Sequence, residues 1–329
     1  MRTKKSKSIS DESVRGRGSA PGKIILLGEH AVVYGRPAIA VPISDVRASA
    51  IVQPGRRGAG IVIHALDIGR HYLLDAAPPT DPIACVIREV LTRCEIAPSL
   101  DLDITISSEI PIASGMGSGA AVATAVVRAL FAAFGCPVDN ATISEIVYQS
   151  ETLLHGTPSG IDNTVVAYER PIWFVRGTPP TPFHVGGRFH LLIADTGVPS
   201  PTRLTVGDVR AAWERDRERY EALFDEIGAL VASAREALQR GDTVQLGMLM
   251  QRNHTLLRQI GVSADVNDRL VEAALDAGAY GAKLSGGGRG GNVIALVDEA
   301  QREVVAQALQ SAGAVRLLST TLIPEEPQP

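Results

Sequence analysis

Four stretches of this chain set reactive residue types at spacings that ordinary structure does not ask for. The first, Ser19-Ala-Pro-Gly-Lys-Ile-Ile-Leu-Leu-Gly-Glu-His-Ala-Val-Val-Tyr-Gly35, opens an apolar strand with Lys23 and follows its far end with Glu29 and His30. Pro21-Gly22 and Gly28 predict tight turns at both ends. Read alone, Lys23 fits a strand flanked by solvated charges. The second stretch, Pro111-Ile-Ala-Ser-Gly-Met-Gly-Ser-Gly-Ala-Ala-Val-Ala-Thr124, runs directly into an apolar helix. Free N–H groups and the helix dipole make such a junction an anion site. A loop that merely caps the helix through Ser118 is the plainer alternative. Three glycines, Gly115, Gly117 and Gly119, exceed what a cap needs, so the segment Gly115, Met116, Gly117, Ser118, Gly119 and Ala120 is read as a phosphate loop. It is not a Walker A loop, because no Lys-Ser/Thr follows the glycines.

The third stretch is Lys283-Leu-Ser-Gly-Gly-Gly-Arg-Gly-Gly-Asn292. Gly286, Gly288 and Gly291 formally satisfy GxGxxG, but a strand pattern follows where dinucleotide binding needs a helix. The loop, with Gly286, Gly287 and Gly288 at its start and Arg289 within it, can still bring backbone close to a phosphate. The fourth, Glu151-Thr-Leu-Leu-His-Gly-Thr-Pro-Ser-Gly-Ile-Asp162-Asn163, brackets a turn with two carboxylates. Such a pair could hold Mg2+ and orient a nucleophile, as phosphoryl transfer requires. Alone it is weak evidence, since Asp and Asn also serve structural turns.

The elements that must position these residues alternate between strands and helices. Strands are predicted at Lys23–Leu27, within Ala38–Val52, and as a hairpin over Ile61–Ala65 and His71–Asp75, with a further one at Leu100–Ser107. Asp81 and Pro82 start a helix running to Cys94. Ser118–Phe134 is apolar all round, the pattern of a buried helix, with Gly135 placed to end it. Ile143–Leu154 is the next helix, and Asp162 lies beyond the turn that follows. Near Arg176–Gly187 the composition shifts to Gly, Pro and Thr, which predicts a linker leading to a strand at Phe189–Ala194. One long helix is then expected from Asp208 to Arg240. The last hundred residues read helix (Ala264–Ala277), strand (Gly281–Leu284), strand (Asn292–Val297), helix (Glu299–Ser311) and strand (Val315–Ile323). That order suits helices on one face of an antiparallel sheet.

Composition narrows the function classes. The 329 residues are 45% hydrophobic and 21% charged, which excludes wholesale disorder. Net charge is −4, yet residues 1–19 carry six basic side chains (Arg2, Lys4, Lys5, Lys7, Arg15, Arg17) against Asp11 and Glu12. The remainder is therefore more acidic than the whole and only 4% of the chain is aromatic, which argues against nucleic acid as a partner. Cys85, Cys94 and Cys136 fit neither a disulfide framework nor a zinc site and suit a reducing cytoplasm. No apolar run approaches the ~20 residues that span a bilayer, so no membrane role is expected. The basic leader has no apolar periodicity with which to pack and is read as a disordered tail.

Together and in this order, the segments resemble the GHMP kinase superfamily, over nearly the whole chain after the leader. The glycine-rich second segment resembles its PxxxGxGSxAA phosphate loop and the third its C-terminal glycine motif. PGKIILLGEHAVVYG with HGTPSGIDN is similar to the members that phosphorylate mevalonate, whereas galactokinase-like members carry a GEHTDY-type sequence. The resemblance implies an α+β, two-domain fold, with a ribosomal-S5-like N-terminal half and a ferredoxin-like C-terminal half. The expected division is a leader at 1–18, an ATP-binding domain at 19–183 and a C-terminal domain at 184–329. It further implies ATP, Mg2+, transfer to the 5-hydroxyl of mevalonate in isoprenoid synthesis, and frequently a homodimer. Position by position, it makes Asp162 the catalytic aspartate and Lys23 the lysine beside it. Glu151 and Ser118 become Mg2+ ligands, and Glu29 and His30 line the substrate site.

Two departures from the family pattern stand out. One serine is missing from the phosphate loop at Ser118-Gly119, and Arg289 interrupts the C-terminal glycines, either to contact phosphate or to face solvent. The competing readings are another superfamily enzyme acting on a different alcohol, and a non-catalytic sensor on the same fold. A sensor could dispense with the charged pair, and here Lys23, Ser118, Glu151 and Asp162 are all present.

Overall fold

The computed structural model describes residues 14–324 except 98, 112, 113, 156, 157 and 201. The chain divides into two compact units, each assembled from two segments. One joins the residues up to Gly22 to Val46–Glu169, and the other joins Lys23–Asp45 to the chain from Arg170 onward. The expected boundary at 183/184 made no provision for this exchange. It arises because two long strands, β1 (Gly16–Leu27) and β2 (Ala38–Pro54), each pass from one unit into the other.

The first unit is built around α2 (Ser118–Phe134), whose Ala-rich surface is buried from Ala120 to Phe134 on nearly every side. It packs against α1 (Pro82–Arg93), α3 (Asn140–His155), α4 (Ile161–Tyr168) and β5 (Leu102–Ser108). Asp81 caps α1 through Ala84 N at 2.8 Å, with Pro82 in the first turn as predicted. The strands form a mixed arrangement. β3 (Ile61–Ala65) pairs antiparallel with β4 (Arg70–Leu73) and parallel with β5, which pairs antiparallel with Ala48–Pro54 of β2.

Part of the expected leader is structural. Val14 is fully buried and β1 starts at Gly16. A β-carbon at Gly16 would stand 2.1 Å from the carbonyl oxygen of Ala129, and one at Gly18 2.1 Å from that of Ala125. Backbone therefore rests directly on α2, an approach that only glycine permits. The docking signal is the absence of side chains, which an apolar-periodicity search cannot see. Residues 1–13 of the leader lie outside the described residues.

In the second unit β6 (Ile172–Phe174) joins Ala38–Ala40 of β2, and β7 (Thr181–Pro182) joins β6. A separate antiparallel sheet has the order β11-β8-β10-β9, from β8 (Phe189–Asp195), β9 (Gly281–Ser285), β10 (Asn292–Val297) and β11 (Arg316–Leu322). α8 (Asp265–Asp276) and α9 (Arg302–Ser311) pack on it through Leu270, Ala274, Val305 and Leu309. The expected long helix is two. α5 (Thr202–Arg215) and α6 (Arg217–Arg240) break at Asp216, which has left helical geometry at φ −139° and ψ 65°. Trp213 Nε1 reaches Glu221 Oε1 at 2.9 Å across that break. In a straight helix residues eight apart are separated by about 12 Å. α7 (Thr243–Ile260) went unpredicted, although Asp242 with Gln245 is a capping-box pattern and Asp242 Oδ1 accepts from Gln245 N at 2.9 Å.

Gly18→Val should lower stability by about 2 kcal/mol or more, because the strand must lift from α2. Removing residues 14–18 should have a similar effect. Urea midpoints unchanged from the parent in both variants would show that the start of β1 is not docked.

Candidate functional site

In the first unit, three helix ends carry the expected chemistry. The loop before α2 has Gly115 at φ 74° and Gly117 at φ 69°, both left-handed. Gly117 is itself the N-cap and supplies no side-chain hydrogen bond, so Ser118 is the first helical residue and not the cap. Capping therefore does not explain this loop. The first-turn N–H groups of a buried helix are left for another acceptor. Glu151, in α3, is buried at 4% exposure, and a β-carbon added at Gly119 would lie 3.2 Å from its Oε1. A carboxylate is thus held against the turn that carries Ser118.

Asp162 lies beyond the turn, in the first turn of α4, and is partly buried. α4 is preceded by the N-cap Gly160, left-handed at φ 87°, and is fastened to α3 through Asn163 of its first turn. Asn163 Nδ2 donates to the Ser144 carbonyl at 3.0 Å and to Ser144 Oγ at 2.8 Å, and Thr164 Oγ1 donates to the Gly160 carbonyl at 2.7 Å. At its other end Glu169, at φ 53°, pairs with Arg47 and Arg128, while Arg128 also donates to the Ala167 carbonyl at 2.8 Å. Ser118, Glu151 and Asp162 therefore sit on three helices that pack together, α2, α3 and α4.

In the second unit, Lys23, Glu29 and His30 are all buried, at 7%, 1% and 5% exposure. The turn after β1 is pinned by Arg36, which donates to Glu221 Oε2 at 2.5 Å, Asp225 Oδ1 at 2.7 Å and the Tyr34 carbonyl at 2.7 Å. Tyr34 stacks on Phe224 with centroids 4.2 Å apart. His30 adopts φ 61°, a strained value for a non-glycine residue, and its Nε2–H donates to the Gly287 carbonyl at 3.1 Å. Burial pushes His30 down to about 4, with the charges of Arg289 and Lys283 adding to it, so the ring is neutral at pH 7. Lys283 Nζ donates to Glu29 Oε1. Burial raises the Glu29 carboxyl above its ordinary range and lowers the Lys283 ammonium, while each charge partly holds the other.

The C-terminal glycine loop is occupied by its own protein contacts. Arg289 N donates to Val262 O at 2.9 Å, Gly291 N to Val198 O at 2.8 Å, and Gly290 N to Asn267 Oδ1 at 2.9 Å. A β-carbon at Gly288 would meet Val262 O at 2.0 Å. Arg289 lies at the surface, where it pairs with Asp208 of α5 and reaches the Gly261 carbonyl that ends α7. Sequence reading also passed over Lys283, His254 and Asp268. Lys283 opened one of the singled-out segments, but its partner lies 254 residues away. His254 accepts from Leu284 N at 3.4 Å through Nδ1 and donates from Nε2 to Asp268 Oδ1 at 3.1 Å.

Two family models match the chain: GHMP kinases N terminal domain over residues 82–170, and GHMP kinases C terminal over residues 234–315. A mevalonate kinase of Pyrococcus horikoshii is 36% identical over 320 residues, covering 92% of this chain and 94% of that protein. The crystal structure of L. major mevalonate kinase in complex with R-mevalonate is similar at TM-score 0.80 and 31% identity, covering 97% of this chain and 99% of that one. The Methanococcus jannaschii mevalonate kinase structure has TM-score 0.81 at 25% identity, covering 94% and 98%.

His254 yields a pH prediction. Burial, opposed by Asp268, lowers it to about 4 against 6.5 for the ordinary side chain. A depressed base binds its proton later in the folded chain than in the unfolded one. Its contribution is therefore complete above pH 6.5 and is lost between pH 6.5 and 4, on the order of 3 kcal/mol. His254→Gln should remove that part of the acid slope in denaturation midpoints. Parallel slopes for variant and parent would exclude His254 as its source.

Proposed function

The chain belongs to the mevalonate kinases of the GHMP kinase family, and we propose that its reaction is run by Asp162, Lys23, Glu151, Ser118 and the two glycine loops. It is an ATP-dependent phosphotransferase with mevalonate as acceptor. The observation that carries the residue assignment lies in the first unit. A helix N-terminus without a side-chain cap stands beside a buried carboxylate, with a second carboxylate on the neighbouring helix. Phosphoryl transfer asks a protein chiefly for positioning and charge neutralisation, and this set supplies both.

In this reading, Gly115, Met116, Gly117, Ser118, Gly119 and Ala120 present backbone N–H groups to the phosphates of ATP, with Gly286, Gly287 and Gly288 as the second glycine element. Asp162 orients the 5-hydroxyl of mevalonate and takes its proton as the oxygen attacks. Lys23 balances the charge that develops there, and Glu29 and His30 line the acceptor site. His30, being neutral, offers Nδ1 as an acceptor once Nε2–H is committed to Gly287.

The donor chemistry fits Mg2+. Among the described residues no group of three His, Cys, Asp or Glu side chains could hold a metal. A hydroxyl and one carboxylate suit an ion that takes hard oxygens and leaves its other positions to phosphate and water. Ser118 and Glu151 would hold it, and when bound it supplies neutralisation of phosphate charge. Cys85, Cys94 and Cys136 form no disulfide among the described residues, which supports action in the reducing cytoplasm. No helix among the described residues is long and apolar enough to cross a membrane.

Asp162→Asn keeps the side chain's shape and should cut turnover about 10²–10⁴-fold while mevalonate still binds. Lys23→Met should give a comparable loss. Glu151→Gln should respond differently, with a defect partly relieved by raising Mg2+, since it holds metal and not the proton. Steady-state kinetics across a Mg2+ titration read all three, and near-parental turnover in Asp162→Asn would sink the mechanism.

A separate expectation concerns the first glycine loop. Gly117→Val should raise the KM for ATP, because its left-handed φ and the approach to phosphate both exclude a branched side chain. An unchanged KM with lowered stability would reduce the loop to a helix start.

A further inference from the structure

The most deeply buried ion pair among the described residues joins β9 to the turn after β1. Lys283 is 0% exposed and Glu29 is 1% exposed. Withdrawing two charges from water costs several kcal/mol each unless their remaining hydrogen-bonding capacity is met. Lys283 Nζ donates to Glu29 Oε1 and, at 2.5 Å, to the Leu284 carbonyl. The backbone N–H groups of Glu29 and Gly286 also act on the Glu29 carboxylate, yet its Oε2 is buried with no partner at full hydrogen-bond geometry. A buried acceptor short of a partner carries a desolvation penalty that a donor on a bound ligand would relieve.

We infer that Lys283 is a positioning residue for the acceptor site: it holds Glu29 ionised through Oε1 so that Oε2 is left to accept a hydrogen bond from a hydroxyl of the alcohol substrate. This rests on the reading of Glu29 as an acceptor-site residue. The strand that carries Lys283 is itself fixed by the residues that follow it. Leu284 N donates to His254, and Ser285 Oγ donates to the Ile25 carbonyl of β1 at 2.7 Å. Three successive residues of β9 thus tie it to the turn after β1, to α7 and to β1. A lysine on such a strand has little freedom to follow its partner, so the carboxylate is located by the cation and not the reverse.

The charged groups around the pair are few. His30 adjoins Glu29 in the chain. His254 of α7 stands behind β9, with Asp268 of α8 and Arg258 of α7 beyond it. Arg289 acts on His30 from the glycine loop. Both histidines are neutral at pH 7, being pushed down to about 4. Lys283 is therefore the cation that can keep Glu29 ionised in this surrounding.

The test is Lys283→Gln, which keeps an N–H donor and removes the charge. Buried glutamates without a partner cation reach pKa values near ~8–9, which leaves between about one in ten and one in a hundred ionised at pH 7. The expected result is about a 10- to 100-fold loss in kcat/KM for mevalonate at pH 7, carried by KM, with the KM for ATP within about threefold of the parent. The loss should shrink towards pH 9, so the acid limb of the profile moves up by more than one unit. Thermal midpoints give a readout free of substrate. A carboxyl whose folded pKa is raised stabilises below its unfolded value and loses that contribution as pH rises, so the gap between parent and variant should widen from pH 6 to 9.

A loss of the same size at every pH, or one expressed in the KM for ATP, overturns the inference and makes Lys283 a packing residue. Should Lys283→Gln fail to fold at pH 7, the double variant Glu29→Gln, Lys283→Gln buries no charge. Mevalonate binding at parental affinity in that variant would overturn the inference as well. A parent chain that fails to phosphorylate mevalonate at all would instead sink the acceptor reading on which it rests. An active parent with an unmoved pH limb in the variant sinks only the role of Lys283.

Discussion

The first unit depends on one constraint: α2 is apolar on almost every side and has to be enclosed. Its surface is chiefly alanine and valine, so whatever encloses it comes close. β1 does so with bare backbone at Gly16 and Gly18, and α1, α3, α4 and β5 cover the rest. A helix held this firmly cannot shift to satisfy its own first turn. The N-terminal N–H groups are therefore presented at a fixed place, with glycine as the cap residue and the Glu151 carboxylate against the first turn. Rigidity behind and openness in front are the same property seen from two ends of one helix. The cost of an unsatisfied helix start is accepted where a ligand can offset it.

The second unit solves a different problem, the holding of charges away from water. Lys283 and Glu29 neutralise each other, His30 is discharged by burial, and His254 is discharged while still bonded to Asp268. Each group is fixed by a partner, and Oε2 of Glu29 is left without one at hydrogen-bond geometry. Desolvation strengthens whatever that atom bonds to next. The same burial makes the unit sensitive to acid, since a histidine kept neutral inside the fold is protonated readily once unfolded.

The glycine loop between β9 and β10 has structural work of its own. Its residues have positive φ at 286, 288, 289, 290 and 291, as an anion-binding loop often does. Yet the N–H groups of Arg289, Gly290 and Gly291 end on protein acceptors, and Arg289 is spent on Asp208 and the end of α7. Glycine is needed at 288 because a carbonyl stands where its β-carbon would be. The downstream half of this loop is a joint that ties β9 and β10 to the residues around Val198, Val262 and Asn267.

Much of this was legible in the residues themselves. Hydrophobic period gave α1, α2 and the strands, because burial of a fixed face imposes a period that needs no knowledge of the partner. The order of the glycine-rich segments carried the family, and Lys23, Ser118, Glu151 and Asp162 could be named from it. Local signals were also missed where they were present, as with the Asp242–Gln245 cap of α7. What only the tertiary structure decided is pairing across distance. That Asp216 would break a helix followed from a contact between Trp213 and Glu221, and that a leader with no apolar pattern would dock followed from two missing side chains meeting alanines more than a hundred residues on. Lys283 and Glu29 are each unremarkable polar residues in the sequence. Their meaning comes from the loss of water around both at once, and desolvation is a property of the folded neighbourhood, which no single stretch of chain contains.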